Sequence, residues 1–398
     1  MNILVFCDEE LAVAGGGSRQ VVEFVRALAA RSHVVRVVAP KPRSDMDRSL
    51  KIDGVRAVWV RVLRLPVLRP LCYLAASAAV LFRTMWNEKP DVLLWFDSPG
   101  QIAPLWCAGL LRCPYVLFVN GLPAEELTGL WSWGPLRRAV QRGLRVSAQG
   151  AHAVVSVCRE IPLWMQSEWG IDPARCRVIR NGVDPAACAP RDKAEARRRL
   201  KLNPDQFYIG FIGGFFPWHG LDMLVEAMAI VRRDYPAATL LLVGDGPHKS
   251  GLESLVSQRG LQETVSFVGR VAFEEVPWWI GASDLCVVLH RPTRFYPGDS
   301  MKLWEYLSCA RPVVATAGEG YGDFVEALGA GVSVKRDDAE ALAEELLRCI
   351  KNPVAAARMG QSGRAAVVRA HTWEARVIEL EQTFGILPDE PLDARACA

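Results

Sequence analysis

Short, nearly continuous apolar runs alternate with longer segments of helical periodicity along the chain. In the first third, five such runs predict strands: Asn2–Phe6, Val34–Val38, Val92–Phe96, Tyr115–Val119 and Ala153–Val157. Runs without polar positions are typical of strands buried on both faces, as in parallel sheets. Between the first two runs, Ser18–Arg31 carries its apolar residues on one helical face. This alternation predicts a doubly wound α/β domain.

The same pattern restarts after a turn-rich segment, Cys176–Asp184, which is typical of a linker. The predicted strands of this second half are Tyr208–Ile212, Thr239–Val243, Val265–Val268, Leu285–Leu289, Val313–Ala315 and Gly331–Val334. The predicted helices are Lys193–Leu200, Leu221–Tyr235, Ser250–Gln258, Met301–Cys309, Phe324–Leu328, Ala339–Ile350, Pro353–His371 and a last one, Trp373–Phe384. The predicted domains are therefore 1–180 and 181–372, followed by a helix and tail, 373–398. We expect the active site in the cleft between two such domains, beyond the carboxyl ends of their strands.

Composition narrows the class of protein. The 398 residues are 51% hydrophobic and 23% charged, which excludes a disordered chain. The 47 basic and 44 acidic residues give a net charge of +3, too balanced for a protein that mainly grips nucleic acid. Eleven scattered cysteines include no C-x-x-C pair and no cluster with metal-ligand spacing. We therefore expect no metal site and no disulfide framework. Free thiols suit a protein located in a reducing cytoplasm.

Two apolar segments bear on localisation. The short apolar run at the start of the chain lacks a basic leader, so we expect a buried strand rather than a signal peptide. The longest uncharged apolar run, Leu71–Phe82, is shorter than the ~20 residues that span a bilayer.

Glycine-rich loops follow the first strand of each half. Gly15-Gly16-Gly17 lets backbone N–H groups approach an anion at a helix start; a flexible turn is the alternative. A dinucleotide site is disfavoured because Gln20 breaks the G-x-G-x-x-G pattern. In the second half, the loop runs from Gly213-Gly214 to His219-Gly220. There His219 would meet an anion near a helix start, although a lone histidine is often structural.

A third motif, Asp299-Ser300-Met301-Lys302-Leu303-Trp304-Glu305, follows a predicted strand. Asp299 or Ser300 is a plausible N-cap, and Lys302 and Glu305 share a helix face. A lysine beside free N–H groups suits a diphosphate, and a carboxylate one turn later suits two ribose hydroxyls. The alternative is a surface ion pair worth ~0.3 kcal/mol, which the apolar neighbours of the pair argue against.

Together these motifs resemble family 4 glycosyltransferases of the GT-B fold. The resemblance covers nearly the whole chain and also includes Asn181–Asp184, Leu242–Pro247, Phe267–Val271 and Arg311–Ala315. It implies two Rossmann-like domains, a donor nucleotide on the second, an acceptor on the first, and a last helix that crosses back to the first. It further implies sugar transfer from a nucleotide-sugar with retention at the anomeric carbon, and a role in polysaccharide biosynthesis.

The resemblance also assigns roles to residues. The donor-binding set is Gly16, Gly17, Gly213, Gly214, Arg270, Val271, Asp299, Ser300, Met301, Lys302 and Glu305. Among these, Glu305 matches the second glutamate of the family's E-x7-E motif, and the backbone at Val271 would read the base. The catalytic set is His219, Lys302 and Asn120.

This chain departs from the family pattern in three places. Pro297 stands where the first glutamate of E-x7-E is usual, and Asp299 is the nearest acidic substitute. Gly214 and His219 stand where the loop usually has Arg and Lys, so we expect His219 to supply the charge and a diphosphate to raise its pKa. Asn120 stands where many members have a histidine.

The acceptor side is less distinctive. Asp97, Glu125 and Glu126 are candidates for binding acceptor hydroxyls, and a helix start or solvated loop is the alternative. Arginines interleave with apolar residues from Arg56 to Arg83, and four more follow: Arg137, Arg138, Arg142 and Arg145. Such segments suit peripheral contact with an anionic membrane, and arginines snorkelling over a core are the alternative.

The sequence therefore predicts a metal-independent retaining glycosyltransferase without a cofactor, using a UDP-sugar in preference to a GDP-sugar. Its acceptor would be a hydroxyl of a glycan, a glycolipid or a small molecule. The alternatives are a sugar-nucleotide epimerase of the same fold and a non-catalytic nucleotide-sugar-binding homologue. We expect a cytoplasmic protein, with peripheral contact at the inner membrane face.

Overall fold

The computed structural model describes residues 1–11, 15–42, 52–61, 69–97, 100–121, 134–291, 299–318, 321–383 and 385. These residues form two compact units. The first contains residues 1–181 together with the C-terminal helix that begins at Trp373, and the second is Gly182–Thr372. The chain thus passes from one unit to the other after Asn181 and again after Thr372.

The first unit is built on a seven-stranded parallel sheet. Its strands are β1 (Asn2–Phe6), β2 (Val34–Pro40), β3 (Val55–Val60), β4 (Val92–Phe96), β5 (Tyr115–Val119), β6 (Ala153–Ser156) and β7 (Cys176–Val178), in the order β3-β2-β1-β4-β5-β6-β7. Every residue of β4, β5 and β6 is buried, because helices cover both faces of the sheet. The uninterrupted apolar runs of the sequence are therefore the central strands.

Helices flank this sheet. They are α1 (Gly16–Ala30), α2 (Arg69–Glu88), α3 (Ala103–Leu111), α4 (Gly134–Gly150) and α5 (Glu160–Trp169), joined by the C-terminal helix, which is α14 (Trp373–Thr383). The last helix packs on α1: the rings of Trp373 and Phe24 are 5.2 Å apart, and Glu381 accepts two hydrogen bonds from Arg31 at 2.7 and 2.8 Å. This helix returns to the first unit, as the family resemblance implies.

The second unit holds a six-stranded parallel sheet. Its strands are β8 (Phe207–Ile212), β9 (Ala238–Val243), β10 (Val265–Gly269), β11 (Leu285–Val288), β12 (Val313–Thr316) and β13 (Gly331–Val334), in the order β10-β9-β8-β11-β12-β13. The chain moves outward from β8 in one direction and from β11 in the other. The strand order therefore reverses between β8 and β11, and such a switch point is where open α/β sheets bind ligands.

Helices cover both faces of the second sheet. They are α6 (Lys193–Arg199), α7 (Leu221–Asp234), α8 (Lys249–Gln258), α9 (Val276–Ala282), α10 (Met301–Ser308), α11 (Gly322–Ala327), α12 (Ala339–Lys351) and α13 (Pro353–Ala370). Buried residues of α7 and α12 pack on one face of the sheet, and those of α10 on the other. The predicted pair of doubly wound domains is confirmed.

The sequence analysis left both edge strands of the first sheet unassigned. The segment from Arg56 to Arg83 contains an edge strand, β3, and much of α2, and the turn-rich linker at Cys176–Asp184 begins with the other edge strand, β7. Edge strands pack against fewer neighbours, so both carry exposed polar residues that hide the apolar signal. Among the described residues, none of the helices combines the length and apolar character needed to cross a bilayer.

Candidate functional site

The candidate donor site lies where β8 and β11 end side by side. The glycine-rich loop 213–220 follows β8 directly, and α10 begins at Met301, thirteen residues after the end of β11. Close backbone packing builds the loop. The Gly213 N–H donates to Val243 at 2.9 Å, and the Phe215 N–H donates to Asp245 at 3.0 Å.

Glycine is required at this turn because other groups occupy the space of a side chain. A Cβ added to Gly213 would stand 2.8 Å from Cε of Lys302, so the lysine stem lies directly over this residue. A Cβ on Gly246 would stand 2.6 Å from the backbone nitrogen of Phe215. These glycines let the loop, the following strand and the lysine converge at one point.

His219 ends a short 3-10 turn, Pro217–His219, and Gly220 follows with φ +58°, a left-handed conformation that favours glycine. The imidazole Nδ1 is 2.6 Å from the carbonyl oxygen of Gly214. Because a carbonyl only accepts hydrogen bonds, Nδ1 carries the proton of the neutral ring. Nε2 then offers a lone pair, and the Lys302 ammonium donates to it over 3.2 Å.

Burial controls the charges of this cluster. It lowers the pKa of His219 to about 2, and the nearby Lys302 ammonium adds to the effect. Burial likewise lowers the pKa of Lys302 to about 8, while the Glu305 carboxylate acts in the opposite direction. His290 is also neutral, because burial, Lys302 and Arg336 lower its pKa to about 4. Lys302 is thus the charged member of the pair that contacts the loop, and His219 is the neutral one. The expected effect of a diphosphate on the pKa of His219 stays a prediction.

Helix α10 carries the other predicted donor contacts. Ser300 is its N-cap in extended conformation, without a side-chain capping bond, so the first N–H groups of the helix are not capped by it. Glu305 is half-buried one turn after Lys302, while Leu303, Trp304 and Leu307 are buried. The predicted embedding of this helix in the core is confirmed.

Asp299 is engaged within its own segment. Its carboxylate Oδ2 accepts a hydrogen bond from the Trp304 indole at 3.0 Å, and the indole stacks on His371 with ring centres 4.6 Å apart. This contact gives Asp299 an anchoring role at the start of α10. Pro297, which stands where the first glutamate of the family motif is usual, lies outside the described residues.

Arg270 and Val271 follow β10. The Arg270 side chain is exposed and its Nε lies 3.6 Å from Asp245, which belongs to the loop after the neighbouring strand β9. Val271 is half-buried against the core. Both residues lie at the carboxyl edge of the same sheet as Gly213.

In the first unit, one predicted residue, Asn120, belongs to a chain of hydrogen-bonded amides. Gly16 is the first residue of α1, and Gly17 follows it. A Cβ added to Gly17 would stand 2.5 Å from Oε1 of Glu9, so the carboxylate packs closely on this glycine. Asn120, just after β5, donates from Nδ2 to Gln20 Oε1 at 2.6 Å, and Gln20 donates from Nε2 to Asn181 Oδ1 at 2.7 Å.

Sequence reasoning missed Gln20 as the centre of this amide chain. Its side chain is buried and connects exposed Asn120 to Asn181, the last residue of the first unit. Its only visible trace in the sequence was a polar residue on the apolar face of α1. Among the predicted acceptor residues, Asp97 is half-buried directly after β4, and Glu125 and Glu126 lie outside the described residues. Within the described residues, no group of three His, Cys, Asp or Glu side chains has metal-binding geometry.

Two family models match the chain, and they meet within about ten residues of the boundary between the units. Residues 14–187 match the family described as "Glycosyltransferase Family 4", and residues 192–366 match "Glycosyl transferases group 1". The chain is a family 4 glycosyltransferase of the GT-B fold. The two matches together account for both units, so the resemblance seen in the motifs is confirmed.

Curated glycosyltransferases match nearly end to end. A GDP-mannose-dependent alpha-(1-6)-phosphatidylinositol monomannoside mannosyltransferase of Mycolicibacterium smegmatis is 27% identical over 92% of this chain and 94% of its own. A GDP-mannose-dependent monoacylated alpha-(1-6)-phosphatidylinositol monomannoside mannosyltransferase of Corynebacterium glutamicum is 29% identical over 87% of this chain and 86% of its own. This glycosyltransferase is therefore similar to enzymes along its whole length.

Solved structures agree on the fold. Sucrose-phosphate synthase from Thermosynechococcus elongatus has a TM-score of 0.78 at 21% identity, covering 96% of this chain and 98% of its own. Anabaena HepE in complex with UDP-glucose has a TM-score of 0.78 at 18% identity, covering 97% and 100%. At these identities the likeness shows a shared GT-B fold.

Proposed function

We propose that this glycosyltransferase binds a nucleoside diphosphate sugar on its second unit and transfers the sugar, with retention, to a hydroxyl group. The observation that carries the proposal is the position of Lys302, whose ammonium contacts the glycine-rich loop at the switch point of the sheet. A cation beside closely packed backbone and a helix start suits a diphosphate.

In this mechanism the diphosphate is the leaving group, and negative charge grows on it as the glycosidic bond breaks. Lys302 and backbone N–H groups at the start of α10 stabilise that charge in place, which is the main electrostatic task of such a site. This supply of positive charge supports transfer without a metal ion. The Glu305 carboxylate accepts hydrogen bonds from the ribose hydroxyls. The leaving phosphate takes the proton of the acceptor hydroxyl, as the family resemblance implies.

The base of the donor is a separate proposal. Relatives matched over most of the chain are named as GDP-mannose-dependent, which supports a guanosine nucleotide and mannose. The sequence alone favoured a UDP-sugar. We propose GDP-mannose as the first donor to test, with UDP-glucose as the competing one.

We propose a lipid-linked acceptor and peripheral contact with anionic lipid. The relatives named above act on phosphatidylinositol mannosides. On α2, exposed Phe82 and Trp86 stack with ring centres 6.1 Å apart and line a shallow groove of about 290 Å³ with Arg83. The exposed face of α4 carries four arginines: Arg137, Arg138, Arg142 and Arg145. Aromatic and basic side chains together suit an anionic membrane surface.

Thermal shift with GDP-mannose, GDP, UDP-glucose and UDP tests the donor proposal. A ligand at 100 times its Kd adds about 2.7 kcal/mol to stability, so the preferred nucleotide should raise Tm most. Nucleotide release is then measured with and without a lipid-linked mannoside acceptor. Acceptor-dependent release supports a transferase, interconversion of the sugar without net release identifies an epimerase, and binding without turnover identifies a non-catalytic homologue.

A further inference from the structure

Lys302 and His219 reach each other from different elements of the second unit. The lysine is in the first turn of α10, and the histidine ends the glycine-rich loop after β8. Their side chains meet at 3.2 Å between Nζ and Nε2, and the other imidazole nitrogen is fixed at 2.6 Å from the carbonyl oxygen of Gly214. One ring thus connects the loop backbone to the ammonium.

We propose that His219 is a positioning residue: as a neutral acceptor, it holds the Lys302 ammonium over Gly213, where the donor diphosphate binds. The inference rests on the proposed function of Lys302 and deepens it. In the family pattern the loop itself supplies a lysine at position 219. Here the helix supplies the cation and the loop supplies only its acceptor.

The ionisable groups nearest the pair leave Lys302 as its charged member. Nearby His290 is neutral, and Glu305 is the acidic group that acts on Lys302. The ammonium also lies 5.3 Å from the centre of the Phe211 ring, which attracts cations. A second charge on the imidazole would face Lys302 across a single hydrogen-bond distance, where like charges repel.

Replacing His219 by Asn or by Gln tests the roles of its two ring nitrogens separately. In His219→Asn the amide nitrogen can still donate to Gly214, as Nδ1 does, but the side chain is too short to accept from Lys302. In His219→Gln the longer side chain can place an amide oxygen near the Nε2 position. We expect the Gln variant to bind GDP and UDP within about threefold of the parent, and the Asn variant to bind about tenfold more weakly, a loss of about 1.4 kcal/mol.

The experiment is titration calorimetry with GDP and with UDP at pH 7, after thermal unfolding has shown that each variant is folded. The exposed His152, in the first unit, provides the matched control His152→Asn, which should bind as the parent does. Lys302→Met should be weakened at least as much as His219→Asn, and the double variant should be no weaker than Lys302→Met alone, because His219 acts through the lysine.

A charge exchange completes the test. His219→Lys should weaken binding, because two ammonium groups would compete for one position, and adding Lys302→Met to it should restore part of the affinity from the loop side. Parent-like binding by His219→Asn, or tighter binding by His219→Lys, would overturn the positioning role while leaving the donor site intact. Parent-like binding by Lys302→Met would instead refute the diphosphate site itself, and with it the inference.

Discussion

Lys302→Met is expected to stabilise the ligand-free protein while it weakens nucleotide binding. Lys302 is largely surrounded by protein, and burial lowers its pKa to about 8 from the usual 10.5. A group whose protonated form is penalised in the folded state costs stability at every pH where it is charged. Methionine has a similar length and carries no charge, so it removes this cost.

The size of the effect follows from the pKa difference. One pH unit corresponds to about 1.4 kcal/mol, so the full difference would be worth about 3 kcal/mol; partial exposure of the side chain reduces this to about 2 kcal/mol. The lost hydrogen bond to His219 costs about 1 kcal/mol in return. The net gain is about 1 kcal/mol, which raises the Tm of a unit of this size by roughly 2–4 °C.

The sign of the pH dependence provides the sharper check. Below pH 8 the lysine is charged in both the folded and unfolded states, and the methionine variant has its full advantage. Between pH 8 and 10.5 the folded protein loses the proton first, so parental stability rises relative to the variant and the difference shrinks. Scanning calorimetry of both proteins from pH 6.5 to 10 measures this. A variant that unfolds at lower temperature at pH 7, or a difference independent of pH, would refute the assignment of Lys302 as a penalised buried cation.

Three other substitutions test the proposed ribose contact, the proposed membrane contact and the amide chain of the first unit. Glu305→Gln should weaken GDP binding by about 2 kcal/mol and abolish the preference for GDP over its 2′-deoxy analogue, because a charge-assisted hydrogen bond to the ribose is lost. Equal discrimination between the two nucleotides in parent and variant would contradict this. The control is Glu263→Gln, at an exposed position. Trp86→Ser should reduce sedimentation with anionic vesicles at low salt, whereas a parent protein that never sediments would favour arginines that merely cover a core. Gln20→Leu leaves the amides of Asn120 and Asn181 without their shared partner and should lower kcat more than nucleotide affinity; unchanged turnover would leave the amide chain a purely structural feature.

The central strands were predictable because their buried environment restricts which side chains they can carry. β4 and β5 were predicted to the residue, since strands covered by helices on both faces admit only apolar side chains. The edge strands β3 and β7 escaped because part of each faces solvent, where arginine and cysteine are tolerated. The helix α10 was predictable for a related reason: Leu303, Trp304 and Leu307 recur on one face, and that face is buried.

The contacts within each unit were less predictable, because they depend on side-chain orientation and on which residues the fold brings together. The donor-ligand role of Asp299 stays a prediction, and its hydrogen bond from the indole N–H of Trp304, five residues later, was not predicted. Gln20 was read only as an interruption of a glycine motif, yet it joins Asn120 and Asn181. A polar residue on an apolar helix face indicates that it has a hydrogen-bond partner. Which residue that partner is depends on the strand ends that the fold brings beside it.

The charge of His219 illustrates this limit most clearly. From its position after a glycine-rich loop, a histidine in place of lysine suggests a substitute cation, and that reasoning treats the loop as isolated. In the folded unit, Lys302 enters the same space from a helix 83 residues away and donates to the imidazole. One small buried volume does not favour two positive charges, and lysine, with the higher intrinsic pKa, retains the proton. The histidine is thereby left as the acceptor, so the Lys302–His219 pair carries one positive charge, on the ammonium that donates to the ring.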